Sequence, residues 1–549
     1  MQLDRNEIGS SAARLAKRFG DEAYFAAVCL RSGMVGPQRP RRLVKLLLAF
    51  DRFGMLGGAV AAGAIRHGDR VAVIDELGEL TYQQLDERSN SLANAWRELG
   101  LQPGEGVAIL ARNHRGFLEA VFAAAKCSAK IVLLNTSFAG PQIQEVARRE
   151  GTDLLVYDDE YSEMLAGVEP PRGNWRAWAQ APGQDTLEEL IRRGSSKPPP
   201  KSDVAARIVI LTSGTTGTPK GAPRAEPRSL APLGGFLSKV PFRAGEVTEL
   251  CVPMFHALGF VHSILGIALG STLVIRRHFD PEETSESVER RGASALVVVP
   301  VMLQRILDTA SSRQFKPRER FDQLRIVFVG GSQLGVALCK RALASFGPII
   351  YNLYGSTEVA VATIATPEDL LEEPGSVGKV VRGSVVEILD DHGGQVAPGV
   401  TGRIFVANAS QFEGYTGGGA KEFVRGLMAS GDVGHFDDAE RLFIDGRDDD
   451  MIVSGGENVF PGEVEELLAG HDAVQEAAVI GVDDEQFGQR LKAFVVTRGG
   501  AELGEDQVKE FVRENLARYK VPREVVFLEE LPRNSTGKVL KRELAQRAG

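Results

Sequence analysis

The order of secondary-structure patterns along the chain is the feature that most limits its fold. Short apolar runs of strand type alternate with helical patterns, beginning with Val71–Ile74 and a helical segment that continues through Leu99. This alternation is typical of layered domains with a largely parallel sheet, because parallel strands need a crossover connection. Further apolar runs are Val107–Leu110, Lys130–Leu134, Leu154–Tyr157, Ile208–Leu211, Ala295–Val299 and Ile326–Val329. We therefore predict an α/β fold whose large N-terminal part has mainly parallel sheets.

The pattern changes near Asp448–Asp450, where we place a domain boundary. The later segments predict two strands, a helix and a last strand at Ala473–Val482, Leu491–Val496, Glu505–Ala517 and Val525–Leu528. A small α+β unit of roughly 100 residues is large enough to fold separately. We predict a helical leader over residues 1–66, a large domain over 67–447 and a small mobile domain over 448–549.

Composition excludes several classes of protein. Hydrophobic residues make up 43% and charged residues 25% of the 549, which is ordinary globular usage and argues against disorder. A net charge of −9 argues against a general nucleic-acid binder, because phosphate binding needs a basic surface. The four cysteines have neither zinc nor redox spacing, so we expect a reducing, cytoplasmic location. No apolar stretch approaches the roughly 20 residues that span a bilayer.

A basic, leucine-rich segment, Arg39–Phe50, precedes the small-residue run Gly54–Ile65. Such a segment fits a helix on a membrane surface, and it also fits a packed helix with a solvated basic edge. We favour the packed helix, and peripheral membrane contact through residues 39–66 stays open. The oligomeric state also stays open.

The glycine-rich stretch Leu211–Gly221 is the most informative local feature. It holds three glycines, four threonines, one serine and one lysine after an apolar strand-like run. Glycine allows backbone N–H groups to converge on an anion, and hydroxyls with Lys220 add donors. The lysine is followed by glycine, so this is not a Walker A loop. Composition alone leaves a phosphate cradle and a flexible polar loop equally open.

Thr212–Gly221 resembles the phosphate-binding signature of the adenylate-forming enzymes, the superfamily of acyl-CoA synthetases, luciferases and peptide-synthetase adenylation domains. Further motifs of that superfamily follow in the same order: Phe255–Gly259, Tyr354–Glu358, Ser430–Gly434, Gly446–Pro461 and Pro532–Lys538. The chain most resembles bacterial medium- or long-chain fatty-acyl-CoA ligases. The resemblance implies that a fatty acid is activated with ATP and Mg²⁺ as acyl-AMP, with release of pyrophosphate, and then transferred to coenzyme A.

The resemblance also implies residue roles. The implied ATP-binding residues are Thr212, Ser213, Gly214, Thr215, Thr216, Gly217, Lys220, Gly331, Ser332, Tyr354, Gly355, Asp432 and Arg447. Glu358 is the implied Mg²⁺ ligand, since this hard cation takes one or two carboxylates beside phosphate oxygens. Thr357 is expected at the α-phosphate, while Asp432 and Arg447 are expected to hold the ribose. A surface ion pair is the alternative for these last two.

Adenylation joins two anions, so the catalyst must supply positive charge between them and align them. By resemblance, Lys538 bridges the carboxylate and the nucleotide; the alternative is one more solvated lysine in a lysine-rich tail. His256 resembles a residue at the acyl carboxylate, or is structural. The apolar residues near it wall a fatty-chain tunnel or belong to the core: Phe255, Leu258, Phe260, Val261, Ile264 and Leu265.

No cysteine of the chain lies in a motif, so the thiol of the second step is expected from coenzyme A. By resemblance, Ser454, Gly455 and Gly456 line the pantetheine channel and Asp449 is the hinge of a rotating small domain. We assign no chemistry to the loop Gly414–Gly419. The rivals are an acyl-AMP ligase that loads a carrier protein, an aryl or other carboxylate CoA ligase, and an inactive nucleotide-binding or membrane-surface protein.

Overall fold

The computed structural model describes residues 5–181, 183–212, 220–224, 229–410, 414–416, 418, 421–448, 450–454, 457–484, 488–499, 501–534 and 537–547. The helices are α1 (Arg5–Arg31), α2 (Pro40–His67), α3 (Tyr82–Glu98), α4 (Arg115–Lys126), α5 (Gly140–Arg149), α6 (Leu187–Arg193), α7 (Ala231–Lys239), α8 (Ala257–Ala268), α9 (Pro281–Arg291), α10 (Pro300–Ser312), α11 (Pro317–Arg320), α12 (Val336–Phe346), α13 (Pro367–Glu372), α14 (Pro461–Ala469), α15 (Glu505–Asn515) and α16 (Lys541–Arg547).

The strands form four sheets in the described part of the chain. They are β1 (Val71–Asp75), β2 (Gly78–Thr81), β3 (Gly106–Leu110), β4 (Lys130–Leu133), β5 (Thr152–Asp158), β6 (Asn174–Trp178), β7 (Arg207–Thr212), β8 (Lys220–Arg224), β9 (Val247–Leu250), β10 (Thr272–Ile275), β11 (Ala295–Val298), β12 (Ile326–Val329), β13 (Ile350–Ser356), β14 (Ala360–Ala365), β15 (Lys379–Val380), β16 (Ser384–Leu389), β17 (Gly402–Asn408), β18 (Phe423–Val424), β19 (Leu427–Phe436), β20 (Leu442–Arg447), β21 (Ile452–Ser454), β22 (Glu457–Val459), β23 (Val474–Asp484), β24 (Gly488–Thr497) and β25 (Glu524–Phe527).

Two mainly parallel sheets carry the large part of the molecule, as the alternation predicts. The first has the order β15-β14-β13-β12-β11-β9-β10-β1-β2, parallel from β1 through β13 and antiparallel at both edges. The second has the order β6-β5-β3-β4-β7-β8, with β8 antiparallel to β7. Helices α3 and α4 pack on each other, and buried side chains such as Trp96 and Phe122 join one core with strands of both sheets.

Two further sheets follow, and both are largely antiparallel. Strands β16, β17, β19 and β18 form one, with β20 paired to β19. The C-terminal sheet has the order β22-β21-β24-β23, with β25 parallel to β24, and it packs with α14, α15 and α16. The predicted strands and helix of this unit are confirmed within a few residues. The α/β fold with a small C-terminal α+β domain is therefore confirmed, while the numerical division into 1–66, 67–447 and 448–549 stays a prediction.

Helix α2 is divided by a kink at Gly54, whose φ of 65° and ψ of −166° are not helical. The half after the kink is buried against α3, α4 and α8, so part of the predicted leader belongs to the core of the large part. Residues 39–66 therefore do not form one surface segment, and only the half before the kink is largely exposed. Among the described helices, none is long and apolar enough to cross a membrane.

Candidate active site

A hairpin of β7 and β8 frames the glycine-rich segment. Thr212 pairs with Lys220 across this hairpin, so the two ends of the segment are adjacent. The predicted phosphate-binding residues Ser213, Gly214, Thr215, Thr216 and Gly217 lie outside the described residues, as does the side chain of Thr212. The described hairpin places Lys220 beside Tyr415, with its Nζ 5.1 Å from the ring centroid.

Glu358 lies in the turn between β13 and β14 and is held by two hydroxyl groups. The Ser356 hydroxyl donates to Oε2 at 2.9 Å, and the Tyr415 hydroxyl donates to Oε1 at 2.7 Å. Burial, followed by the charge of Glu358, raises the pKa of Tyr415, so its phenol stays protonated and donates. Thr357 precedes Glu358 in the same turn. Gly355 is required on sterics, because a Cβ there would lie 1.9 Å from the Ala360 carbonyl oxygen.

Asp432 connects the first sheet to the strand pair β19–β20. Its Oδ2 accepts a hydrogen bond from the Tyr354 hydroxyl at 2.7 Å, and Arg447 Nη1 lies 3.3 Å from its Oδ1. Asp432 and Arg447 are register partners, so the two motifs that contain them meet directly across the pair. Burial and the neighbouring Asp432 charge raise the pKa of Tyr354 well above its usual value.

The absence of a side chain at Gly431 lets Arg447, the ion-pair partner of Asp432, lie close to the backbone. Gly431 has a φ of +89°, and a Cβ there would lie 3.3 Å from Lys421 Nζ and 3.4 Å from Arg447 Nη2. The Lys421 ammonium in turn donates to the Ser430 carbonyl at 3.1 Å. Lys421 and Arg447 therefore both lie beside the Gly431 backbone, and of the two Arg447 is the cation paired with the Asp432 carboxylate.

A buried carboxylate fixes the strand that carries Lys220. Glu150, 2% exposed, accepts hydrogen bonds from the Thr416 hydroxyl and from Arg149 Nε. Thr416 also receives the Gly221 backbone N–H at 3.1 Å and donates its own N–H to the Gly221 carbonyl at 2.9 Å. The segment at 414–416 is thus tied to β8, next to the glycine-rich loop.

An apolar wall lies beside the loop that follows β12. Gly331, with a φ of +91°, would place a Cβ 3.3 Å from Val299 and 3.9 Å from Leu258. Ser332 follows it in the same loop, partly exposed. Leu258 is in the first turn of α8, and His256 is the residue before that helix. Burial lowers the pKa of His256 to about 4, so its imidazole is neutral at pH 7.

The C-terminal lysine motif reaches this same wall. A Cβ at Gly537 would lie 2.4 Å from Val301 Cγ1 and 3.4 Å from Val299 Cγ2. Lys538 follows, with its N–H bonded to Asn534 Oδ1 at 2.9 Å and its carbonyl accepting the Asn534 N–H at 2.9 Å. Lys538 is exposed at the end of this turn. The small domain therefore presents the lysine next to the wall that contacts Gly331.

Further contacts hold the small domain against the large part. Glu466 of α14 accepts the Val336 N–H at the start of α12, at 2.9 Å, and Phe460 packs on Gly446. The predicted hinge Asp449 and the predicted channel residues Gly455 and Gly456 lie outside the described residues. Ser454 ends β21, and its side chain is not described either.

The residues present fit Mg²⁺ bound together with phosphates. Among the described residues, no group of three or more His, Cys, Asp or Glu could hold a metal ion by itself. Mg²⁺ commonly binds through one or two carboxylates and takes its remaining ligands from substrate phosphates and water. Glu358 supplies one such carboxylate, oriented by Ser356 and Tyr415, on the side of the site that carries Lys220.

Sequence reasoning missed three residues that the structure brings to the site: Tyr415, Thr416 and Glu150. Tyr415 and Thr416 lie in the loop to which we assigned no chemistry, yet they contact Glu358 and Gly221. An aromatic residue in a glycine-rich loop was the available signal for Tyr415. Glu150 gives no comparable signal, because one acidic residue at the end of a helix is ordinary in sequence.

Two family models match the chain. The model of AMP-binding enzymes matches residues 60–416, and the model of their C-terminal domain matches residues 463–538. The chain is 30% identical over 495 residues to the fatty acid–[acyl-carrier-protein] ligase ScoC of Streptomyces coeruleorubidus, covering 87% of this chain and 93% of ScoC. It is 32% identical over 494 residues to a feruloyl-CoA synthase of an Amycolatopsis species, covering 89% and 96%.

A solved structure agrees with these matches. ATP-bound MatB from Rhodopseudomonas palustris superposes with a TM-score of 0.80 at 26% identity, covering 89% of this chain and 98% of MatB. ATP, Mg²⁺ and coenzyme A are the cofactors of AMP-binding CoA ligases. The chain belongs to the AMP-binding enzyme family and is an adenylate-forming, AMP-releasing ligase.

Proposed function

We propose that this enzyme activates a medium- or long-chain fatty acid with ATP and Mg²⁺ and transfers the acyl group to coenzyme A. The observation that supports the substrate class is the pair of partly exposed apolar residues Leu258, in the first turn of α8, and Val301, beside the Lys538 turn, with buried Val299 contacting Gly331 and Gly537. Burying apolar chain is worth about 0.8 kcal/mol per methylene, so such a wall favours an alkyl substrate.

In the first step a fatty-acid carboxylate oxygen attacks the α-phosphorus of ATP. A bond from oxygen to phosphorus forms, the bond to the bridging oxygen breaks, and pyrophosphate leaves. We assign Lys538 to the charge between the two anions and Thr357 to the α-phosphate. The pair Asp432 and Arg447 holds the ribose, because a carboxylate accepts hydrogen bonds from a diol.

The remaining assignments concern the phosphates, the adenine, Mg²⁺ and the fatty-acid carboxylate. We assign Lys220 and the glycine-rich segment to the phosphates, Tyr354 and the backbone at Gly331 and Ser332 to the adenine, and Gly355 to the ATP site. Glu358 would hold Mg²⁺, which when bound neutralises phosphate charge. The neutral His256 imidazole lies just before α8, and we assign it to orient the fatty-acid carboxylate.

In the second step the thiolate sulfur of coenzyme A attacks the acyl carbonyl carbon, the carbon–sulfur bond of the thioester forms, the bond from that carbon to the phosphate oxygen breaks, and AMP leaves. We propose that the small domain rotates about Asp449 between the two steps and brings Ser454, Gly455 and Gly456 to the pantetheine. Because coenzyme A supplies the thiol, this reaction needs no cysteine of the enzyme. All four cysteines are free thiols. We propose a cytoplasmic location, which suits free thiols.

The acceptor and the acid each have a rival. ScoC is named as a ligase for an acyl-carrier protein, which supports the carrier as an alternative acceptor. The feruloyl-CoA synthase supports an aryl acid as an alternative substrate. Both rivals keep the adenylation step and the residues assigned to it.

A substrate series tests the proposal. Purified enzyme is assayed for acid-dependent release of AMP with coenzyme A, using saturated fatty acids of increasing length, ferulate and 2-succinylbenzoate. The same fatty acids are then offered with a phosphopantetheinylated carrier protein in place of coenzyme A. We expect kcat/KM to rise with chain length and to be highest with coenzyme A. Preference for ferulate or 2-succinylbenzoate, or acylation of the carrier alone, would overturn the proposal.

A further inference from the structure

The exposed half of α2 has an apolar row with a basic border. Leu43, Val44, Leu47 and Leu48 repeat at the spacing of one helical face, and they are 48% to 62% exposed. Arg41 and Lys45 are one turn apart on the adjacent face, also exposed, and Arg52 continues that face. Large apolar side chains that cluster on one exposed face mark an interaction surface.

The charge on this half opposes the charge of the whole chain. Between Arg39 and Met55 there are five cations and one acid, Asp51, whereas the chain has a net charge of −9. Asp51 Oδ1 is paired with Lys201 Nζ at 2.7 Å, so its charge is compensated from outside the helix. The positive potential is therefore local and lies beside the apolar row.

A surface cavity opens at the start of the same helix. Its volume is about 730 Å³, and it lies between the beginning of α2 and Ile65 near the end of the helix. Four of the residues that line it are cations and none is an acid. The lining residues are Pro37, Gln38, Arg39, Arg41, Arg42, Lys45 and Ile65. A concave basic site of this kind suits an anionic headgroup, since guanidinium groups bind phosphate through two N–H donors.

The kink at Gly54 presents this half outward. Ala49 and Phe53 before the kink pack with Ala61 and Ile65 after it, so the helix folds back on itself. The packed residues are on one side of the first half, and the row Leu43, Val44, Leu47 and Leu48 is on another. The exposed half is thus anchored by a buried helix, and its apolar row needs no rearrangement to contact a partner.

We propose that residues 39–52 bind the surface of an anionic lipid bilayer, with the apolar row inserted at the boundary of headgroups and acyl chains and the basic residues at the phosphates. A flat apolar row bordered by cations fits an anionic bilayer better than an apolar protein groove, which would not use the basic cavity. The test of this proposal is independent of the test of the proposed substrate, because vesicle binding is measured without catalysis.

Flotation of the full-length enzyme with vesicles tests the proposal. We expect binding to phosphatidylcholine vesicles that contain phosphatidylglycerol, weak binding to phosphatidylcholine alone, and loss of binding with rising salt. Replacing three cations (Arg41→Gln, Arg42→Gln, Lys45→Gln) should lower partitioning by about 100-fold, since each cation near the surface contributes roughly fivefold. Leu47→Ser with Leu48→Ser should lower it by roughly tenfold or more.

Matched variants keep the experiment specific. Arg148→Gln, Arg192→Gln and Lys316→Gln remove three exposed cations elsewhere, and Leu77→Ser with Leu371→Ser removes two exposed leucines elsewhere. Both sets should bind vesicles like the wild type. Equal binding to the neutral and anionic vesicles, or equal losses in matched and test variants, would overturn the proposal. If the enzyme binds no vesicles, two findings would also overturn the proposal. One is a dimer that dissociates in the Leu47→Ser, Leu48→Ser variant, and the other is a protein partner that binds this surface.

Discussion

Tyr415 and Glu358 come from separate segments of the chain, and the Tyr415 hydroxyl donates a hydrogen bond to Glu358 Oε1 at 2.7 Å. The ring of the same tyrosine lies under Lys220 Nζ, at 5.1 Å from the centroid. One side chain therefore links the proposed Mg²⁺ ligand to the proposed phosphate cation. Its position predicts an effect on catalysis through Glu358 rather than through direct contact with the reacting atoms.

Tyr415→Phe removes this hydrogen bond and keeps the ring beneath Lys220. We expect the rate of ATP–pyrophosphate exchange to fall roughly tenfold, the effect of losing about 1.5 kcal/mol in a hydrogen bond to a charged acceptor. The Mg²⁺ concentration for half-maximal rate should rise, because Glu358 is less well oriented. Tyr519→Phe, at an exposed position of the small domain, is the control. An unchanged Mg²⁺ dependence would contradict the positioning role.

The alternation of strands and helices was enough to predict the layered fold, because each apolar run reports local periodicity. It could not predict which strands are neighbours. Val73 pairs with Leu273, a contact that depends on how distant segments pack. The sheet of β16 to β20 was also missed, since polar residues and glycine interrupt the apolar runs of its strands, as Ser430, Gly431 and Asp432 do in β19.

The site shows the same division. The motifs that contain Asp432 and Arg447 were recognisable in the sequence, and the register of β19 and β20 explains why they meet. The contact between Tyr415 and Glu358 was not predictable, since nothing local in either segment specifies the other. Glu150 was missed because its function as an anchor for Thr416 comes from burial, which the sequence around it does not indicate.

Lys538→Ala tests the lysine that the small domain brings to the apolar wall. We expect adenylate formation to lose about 2–4 kcal/mol of transition-state stabilisation, the scale for one key donor. Lys541→Ala is a matched control in the same basic tail, where Lys541 Nζ pairs with Glu465 Oε1 at 2.9 Å. Pyrophosphate exchange is the readout for both. A wild-type exchange rate in Lys538→Ala, or an equal loss in both variants, would exclude a specific role for Lys538.

Asp449→Pro tests the proposed hinge. Proline fixes φ near −65° and restricts the residue before it, so rotation about this position should be impaired. We expect the rate of adenylation, measured by pyrophosphate exchange, to stay near that of the wild type. The rate of thioester formation from acyl-AMP and coenzyme A should fall. The two half-reactions are measured separately by single-turnover quench. Equal loss of both would argue against a hinge at this position.

His262 predicts how acid affects the stability of the enzyme. Its ring is packed among Phe236, Phe242 and Phe328, and burial lowers its pKa to about 4 from 6.5. Above pH 6.5 the imidazole is neutral in both folded and unfolded chains, so it contributes no pH dependence. Between pH 6.5 and about 4 only the unfolded chain takes up the proton, and the free energy of unfolding therefore falls.

His262→Gln should remove this contribution while keeping a polar group near the Leu258 carbonyl, which accepts from His262 Nδ1 at 2.7 Å. The substitution also changes the free energy of unfolding at neutral pH, but the prediction concerns only its pH dependence. On acidification the free energy of unfolding of the variant should fall less steeply than that of the wild type. At about pH 5 we expect the difference in pH-dependent loss to be roughly 2 kcal/mol, from 1.36 kcal/mol per pH unit. Urea unfolding at several pH values measures it, and parallel pH profiles of the variant and the wild type would show that His262 is not the buried group responsible.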